Sequence, residues 1–236
     1  MKKKVIAVLL VLVLVAGAVS AKEVGVKVGA ELGWGFDIVK VTDSGKVALS
    51  DKTGTITNKY KNNGFSATIT AEYALSEYFS VKGSFGLMFA GQTKQTVKAG
   101  DKAATDSTFD KKAGTYIDAA LDAKYTVKLS DDLSLSALAG IEMLSGYIYK
   151  TEYEDLNKDY KNFSFGLNVA PELSYAINKN VSLTLGCNLA WFFVNNAKLL
   201  ESSENSLTIQ GYSLASAKRS ATSFFIRPYV GCTYAF

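Results

Sequence analysis

Histidine is absent from the 236 residues, and that absence excludes more chemistry than any other feature of the composition. Imidazole is the usual general base, metal ligand and pH switch, so Ser-His-Asp triads, Cys-His dyads and His-ligated zinc are ruled out. An enzyme built on this chain would have to work with carboxylates, Lys or Tyr. Proline is scarce, at two residues, and cysteine equally so, which fits neither a proline-rich linker nor a disulfide-stapled scaffold. Beyond Val15 no apolar run is long enough for a membrane helix. What is present, 48% hydrophobic residues with 20% charged, suits one folded domain.

The amino terminus stands apart. Lys2, Lys3 and Lys4 precede an unbroken apolar run from Val5 to Val15, followed by the small residues Ala16 to Ala21. This is the order of a secretory signal peptide, with Val19 and Ala21 where a signal peptidase prefers short side chains. The run is short for a bilayer span, so an uncleaved anchor is the weaker alternative. The expected division is a cleaved leader over 1–21 and a folded domain over 22–236. No Cys lies near the cleavage site, so a lipoprotein is not indicated. Three of the bases behind the formal charge of +4 belong to the leader, leaving the mature chain nearly balanced. A nucleic-acid partner is therefore not expected.

Along the rest of the chain apolar residues recur at alternate positions, the period of a β-strand. The first run reads Val24, Val26, Val28, Ala30, Leu32, Trp34, Phe36, Ile38; the second Phe65, Ala67, Ile69, Ala71, Tyr73, Leu75; the third Phe79, Val81, Gly83, Phe85, Leu87, Phe89. Further runs begin at Ile117, Leu133, Phe163, Val181 and Phe224, and the last reaches Phe236. Not one position on these faces is Asp, Glu, Lys or Arg, although one residue in five of the chain is charged. Tight links are predicted at 76–78, 128–132 and 178–180, and long polar loops over 40–63, 91–114, 150–161 and 194–222. Short turns on one side and long loops on the other predict an all-β fold: an eight-stranded antiparallel up-and-down transmembrane β-barrel with short periplasmic turns and long extracellular loops.

Aromatic residues sharpen this expectation, because a lipid-facing wall carries ring belts at both interfaces. Trp34, Phe36, Trp191 and Phe193 fall at the long-loop ends, and Tyr73, Tyr125, Tyr175, Tyr234 and Phe236 at the short-turn ends. A soluble lipocalin-like barrel with the same residues turned inward is the alternative.

The chain ends on Phe236, with Tyr234, Val230, Ile226 and Phe224 on the same face. This end resembles the C-terminal assembly signal of Gram-negative outer-membrane β-barrel proteins, and the size is similar to the small eight-stranded OmpA/OmpX-type and opacity-type barrels. The resemblance implies an outer-membrane location, outer-membrane lipid as surroundings, and the barrel assembly machinery as a partner that reads Tyr234 and Phe236. It brings no catalytic, cofactor-binding or metal-binding motif, so none is expected. Hydrolases and acyltransferases among such barrels use a His, and this resemblance therefore implies no enzyme.

The opposite register carries Glu31, Asp37, Glu72, Asp118, Asp122, Glu142 and Glu172 against Lys27, Lys82, Lys124 and Arg227. An eight-stranded barrel has an interior only wide enough for its own side chains or one small ligand, and buried charges must be paired. An ion-pair network of Arg227, Lys82 and Lys124 with Glu72, Asp118, Asp122, Glu142 and Glu172 is expected to plug the lumen. Asp118 and Asp122 lie roughly 13 Å apart along a strand, too far for a glycosidase pair.

Pro171 and Pro228 fall inside strands, where a bulge or local break is expected. Cys187 and Cys232 face outward on strands seven and eight, either as a disulfide or, more simply, as two small apolar residues. The lysines of 40–63 and 91–114 form a modest basic rim for lipopolysaccharide phosphates or an acidic host polysaccharide, with solvated loop charge as the simpler explanation. The functional expectation is a structural and interaction protein acting through its loops as an adhesin or surface antigen; the alternative is a narrow channel or transporter for a small or hydrophobic solute. The leader is tested by mass spectrometry of the membrane-inserted protein, whose first residue is expected to be Lys22. A mass that retains residues 1–21 rejects cleavage.

Overall fold

The computed structural model describes residues 25–47, 53–100, 105–109, 115–150, 159–195, 198–199, 206–209 and 212–236; the leader lies outside them. The elements are β1 (Val26–Val47), β2 (Thr53–Ala74), β3 (Phe79–Ala99), β4 (Thr105–Phe109), β5 (Thr115–Lys128), β6 (Leu133–Lys150), β7 (Asp159–Ala176), β8 (Val181–Asn195), β9 (Lys198–Leu199), β10 (Ser206–Ile209) and β11 (Tyr212–Ala235). Eight of them follow one another around a ring in the order β1-β2-β3-β5-β6-β7-β8-β11, and β11 closes it by pairing with β1. All pairings are antiparallel. The three short strands lengthen the wall at the far end from the tight turns: β4 on β3, β9 on β7 and β10 on β11.

Closure has a physical cause. In hydrocarbon no water is available to an unpaired amide, so a sheet can span only if it has no edge. The seam runs from Lys27 opposite Ala235 to Val47 opposite Leu214. The last residue joins it, the Phe236 amide donating to the Val26 carbonyl at 3.2 Å.

The tight turns are written into the residues that make them. In each, a side-chain oxygen near the start of the turn accepts from backbone amides further on, as Ser and Asn do in turns. Ser76 Oγ takes the amides of Tyr78 and Phe79 at 3.3 and 3.0 Å, and Ser130 Oγ takes that of Leu133 at 3.1 Å. Asn178 Oδ1 takes the amides of Asn180 and Val181, both at 2.9 Å.

The alternating apolar positions face outward. Leu32, Trp34 and Phe36 of β1, Phe65, Ile69 and Tyr73 of β2, and Phe79, Phe85, Leu87 and Phe89 of β3 are all exposed, while Glu31, Thr68, Glu72 and Lys82 between them are buried. From Val26 to Ile38 the outward face of β1 covers twelve steps; at about 3.3 Å each and a tilt of ~40°, this projects to roughly 30 Å, the thickness of a bilayer's hydrocarbon core.

Two expectations are corrected. Three of the four segments read as long loops are mostly strand: β1 continues through 40–47, β2 begins at Thr53, β3 runs to Ala99, and β11 begins at Tyr212; most of the fourth, 150–161, lies outside the described residues. Their alternation persists with its phase reversed. Val39 and Val41 are buried beside exposed Lys40, and Ile56, Asn58, Tyr60 and Asn62 are buried while Lys59 and Lys61 are exposed. Above the belt the medium outside the wall is water, so polar residues move outward and apolar ones in, and a search for outward apolar residues stops at that level.

The disulfide alternative is the second correction, since both cysteines are free. Cys187 lies opposite Pro228 while Cys232 lies opposite Leu183. Four residues of stagger, roughly 13 Å, is beyond the reach of a bridge.

The prolines make local breaks without bulges. The β7–β8 ladder skips from Val169 opposite Leu189 to Glu172 opposite Gly186, and the β11–β1 ladder skips Arg227 and Pro228; the register on either side is the same. The register shifts lie elsewhere, including those at Asn63/Gly64 and Phe165/Gly166.

In a Cys187→Ala, Cys232→Ala background, Lys59→Cys or Lys61→Cys is expected to react with a membrane-impermeant maleimide on intact cells, and Ile69→Cys is not. Equal labelling at Ile69 would reject the placement of the bilayer on this wall.

Candidate functional site

The inward side chains fill the barrel in successive levels. Nearest the tight turns are hydroxyl pairs, Thr126 with Ser136 at 2.9 Å and Ser174 with Thr184 at 3.2 Å. Ser80 Oγ donates to Glu72 Oε1 at 2.9 Å. Lys27, with its side chain half exposed at this rim, lies 3.6 Å from Glu72.

Above them the charges meet. Glu172 on β7 is the centre: Lys82 reaches it from β3, Lys124 approaches its Oε2 at 2.8 Å from β5, and the Tyr229 hydroxyl donates to its Oε1 at 2.6 Å from β11. Each lysine is shared with a second acid, Lys82 with Glu31 at 2.7 Å and Lys124 with Glu72 at 2.9 Å. Arg227 spans from Glu31 at 3.6 Å to Asp118 at 3.1 Å and also donates to Thr68 Oγ1. The faces of the Tyr229 ring lie 5.6 Å from Lys82 Nζ and 5.4 Å from the Arg227 guanidinium carbon, within the range of cation–π attraction.

The expected network thus comes together for Arg227, Lys82, Lys124, Glu72, Asp118 and Glu172, with Glu31 added. Asp122 and Glu142 are held differently. Asn168 Nδ2 donates to Asp122 Oδ1 and Asn188 Nδ2 to Glu142 Oε2, each at 2.7 Å. Asp37 sits at a higher level, fully buried, accepting from Ser223 Oγ at 2.8 Å and from Asn62 Nδ2 at 3.5 Å.

Between Asp37 and the charges lies an apolar level that sequence reasoning missed: Met88, Tyr116, Leu144, Ala190, Phe192 and Phe225 form one buried cluster. The signal was present. Leu87-Met88-Phe89, Trp191-Phe192-Phe193 and Phe224-Phe225-Ile226 are apolar at both parities, which marks the height where lipid outside meets an apolar lumen. Gly35 makes room for it, since a Cβ there would overlap Met88 Sδ and crowd the Phe225 ring.

Among the described residues the charged level is closely packed. A void among Lys82, Asp122, Asn168 and Arg227 measures about 10 Å³, room for one water molecule at most. The outward aromatics Trp34, Phe36, Trp191 and Phe193 stand exposed toward one end of the wall, and Tyr73, Tyr125, Tyr175, Tyr234 and Phe236 toward the other.

A sheet closed on itself, lipid-compatible outside between two aromatic girdles and polar within, is the construction of a bacterial outer-membrane β-barrel. The sequence agrees: a family model described as the outer membrane protein beta-barrel domain matches residues 6–214, and the chain belongs to that family and to the outer membrane. No curated protein matches it in sequence. Among solved structures it is similar to Neisserial surface protein A, at 15% identity over 86% of this chain and 97% of that one, with a TM-score of 0.45. It is also similar to OprG from Pseudomonas aeruginosa (11% identity, 88% and 95% of the chains, TM-score 0.46) and to the attachment invasion locus protein Ail of Yersinia pestis (13%, 90% and 99%, TM-score 0.39). Likenesses this distant decide nothing about activity.

Removing one partner of a buried charge network leaves the others uncompensated, at about 3–5 kcal/mol. Glu172→Gln, which takes one of its two acids from each of Lys82 and Lys124, is expected to lower stability by that amount in urea titrations that follow the folded band on a gel. Lys27→Gln, at the half-exposed rim, is expected to change it by less than about 1 kcal/mol. Equal effects would show that Glu172 does not organise the lumen.

Proposed function

We propose that this protein is a closed, non-enzymatic outer-membrane barrel that acts through the wall and hairpins it raises above the bilayer, as an adhesin or surface antigen does. The observation that supports this reading is the double closure of the lumen, by a charged level around Glu172 and by the apolar cluster around Phe192 and Phe225. A single plug could swing aside. Two plugs of opposite chemistry, each contributed by several strands, leave the axis without a path for a solute. The carboxylates are engaged with lysines, Arg227 and amide side chains, and no imidazole is available to activate water.

The charged network serves, on this reading, as a structural bolt. Tyr234 and Phe236, exposed on the final strand with ring centroids 5.1 Å apart, serve as the contact for the barrel assembly machinery. The working surface is the polar outward face of β1, β2 and β3 beyond the belt.

The alternative of a transporter for a hydrophobic solute draws support from one feature. An apolar hollow of about 420 Å³ opens on the lipid side beside Pro171, among Phe79, Ala123, Tyr125, Ala137, Ala139 and Val169. Its lining includes Leu138 and Ala170, which are buried toward the lumen, so passage from it would require the wall to part between β5, β6 and β7, whose ladders are continuous there.

Planar-bilayer recording of the purified protein tests the closed reading. No single-channel steps are expected, and Arg227→Ala is expected to leave the barrel closed because the apolar level remains. Discrete openings of the wild-type protein would overturn it in favour of transport.

A further inference from the structure

Directly above the belt, lysine stands opposite lysine on the outward face. The β1–β2 ladder sets Lys40 across from Lys59, and the β2–β3 ladder sets Lys61 across from Lys94. All four side chains are exposed, and among the described residues none is in an ion pair. Their outward neighbours on the same strands are hydroxyl and amide residues such as Thr42, Thr57, Asn63 and Thr96, with no acid among them. The nearest acid in the register is Asp106 on β4, at the position opposite Thr96. Like charges directly across a ladder destabilise a sheet, and the threonines beside them show what this wall accommodates at no such cost. Four unmatched ammonium groups within about 5 Å of height call for an anion.

Height selects the anion. Lys61 is the ladder partner of Ile38, the last apolar outward residue of β1, and Lys40 and Lys59 lie two residues beyond. At about 3.3 Å per residue and a tilt of ~40°, with roughly 3 Å of height gained at each step from β1 to β2 to β3, the four stand roughly 3–8 Å above the hydrocarbon. The headgroup layer is itself about 5–7 Å deep, so these lysines stand within it or at its outer edge. Phe36, Phe65 and Phe89 are exposed below them, and Phe65 and Phe89 are cross-strand partners.

We propose that this face of β1, β2 and β3 binds the phosphate of a lipid in the surrounding leaflet. The ammonium groups of Lys40, Lys59, Lys61 and Lys94 hold the phosphate oxygens, and the acyl chains lie on Phe36, Phe65 and Phe89. The proposal deepens the reading of this wall as the working surface and rests on it, but it is independent of whether the lumen is closed.

The test compares the unfolding midpoint of the full-length barrel with that of Lys59→Thr/Lys61→Thr in nanodiscs. One set contains phosphatidylcholine alone, and the other an equal mixture with phosphatidic acid. In phosphatidylcholine the variant, relieved of two like-charge pairs, is expected to unfold at or above the wild-type temperature. In the mixture the wild type is expected to gain several degrees and the variant to lose most of that gain. High salt is expected to reduce the gain in both. Lys61→Gln gives the same comparison should the double variant fail to fold.

No gain in the wild type, or an equal gain in both proteins, would overturn the proposal. Inorganic phosphate or a soluble sulfated polysaccharide, added to phosphatidylcholine discs, separates the sources; stabilisation equal to that from phosphatidic acid would overturn the assignment to a membrane lipid. Channel openings in planar bilayers would count against the closed lumen alone.

Discussion

Every backbone amide inside hydrocarbon must find its partner within the protein, and the organisation of this molecule follows from meeting that condition with strands. A sheet meets it only when its last strand pairs with its first, which is why β11 lies along β1 over nearly the whole length of both. Closure of eight strands then fixes an interior too narrow for a water-filled pore. Whatever faces inward must pack or pair with what arrives from the opposite wall, and the glycines at 35 and 186 are part of that fit, giving space to Met88 and to the Tyr229 ring.

A wholly apolar lumen would meet the packing requirement, but it would make each strand apolar at both parities. The alternation of Glu31, Thr68, Lys82, Asp122 and Arg227 with lipid-facing residues keeps the mean hydropathy of the whole chain near zero, at +0.09, and keeps any strand from reading as a membrane helix. Desolvating the charges is costly, and their mutual attraction only offsets it when geometry is good and the remaining lone pairs are satisfied. Here each buried lysine touches two carboxylates, Arg227 reaches Asp118, and amides from Asn168 and Asn188 cover one oxygen each of Asp122 and Glu142, while Asp118 Oδ1, Glu142 Oε1 and Arg227 Nε are left without a hydrogen-bond partner. The network therefore fixes which strand faces which across the lumen more than it adds net stability.

The membrane half of this architecture was legible in the sequence because lipid imposes a strict rule on alternate residues from Val26 to Ile38 and from Phe65 to Tyr73. The tight turns were legible because Ser76, Ser130 and Asn178 are turn-forming residues between such runs. The extramembrane strands were not, since from Lys40 and back to Lys59 the rule inverts, and a threonine- and lysine-rich strand with its apolar residues inside has the composition of a loop. Pairings across the lumen were legible only in part. Register places Glu172 and Lys82 on inward faces, but nothing in the sequence says that Lys124 and Tyr229 converge on the same carboxylate from different strands. Phe192 and Phe225 were overlooked because their neighbours already satisfied the outward pattern.

The two sets of lysines show how differently one residue type is handled on either side of the wall. Lys82 and Lys124, out of water, are each bound by two acids, because an unpaired ammonium there would cost several kcal/mol. Lys40, Lys59, Lys61 and Lys94, at the edge of the bilayer, have no acid across the ladder, and two of the contacts are between like charges. Water and salt screen that repulsion well enough for the sheet to form, so it is tolerated, but tolerance does not explain why four lysines gather in one narrow band when threonine occupies the adjacent positions. A wall whose lysines are paired with acids inside and left without them outside, at the height of lipid headgroups, is completed by the membrane around it.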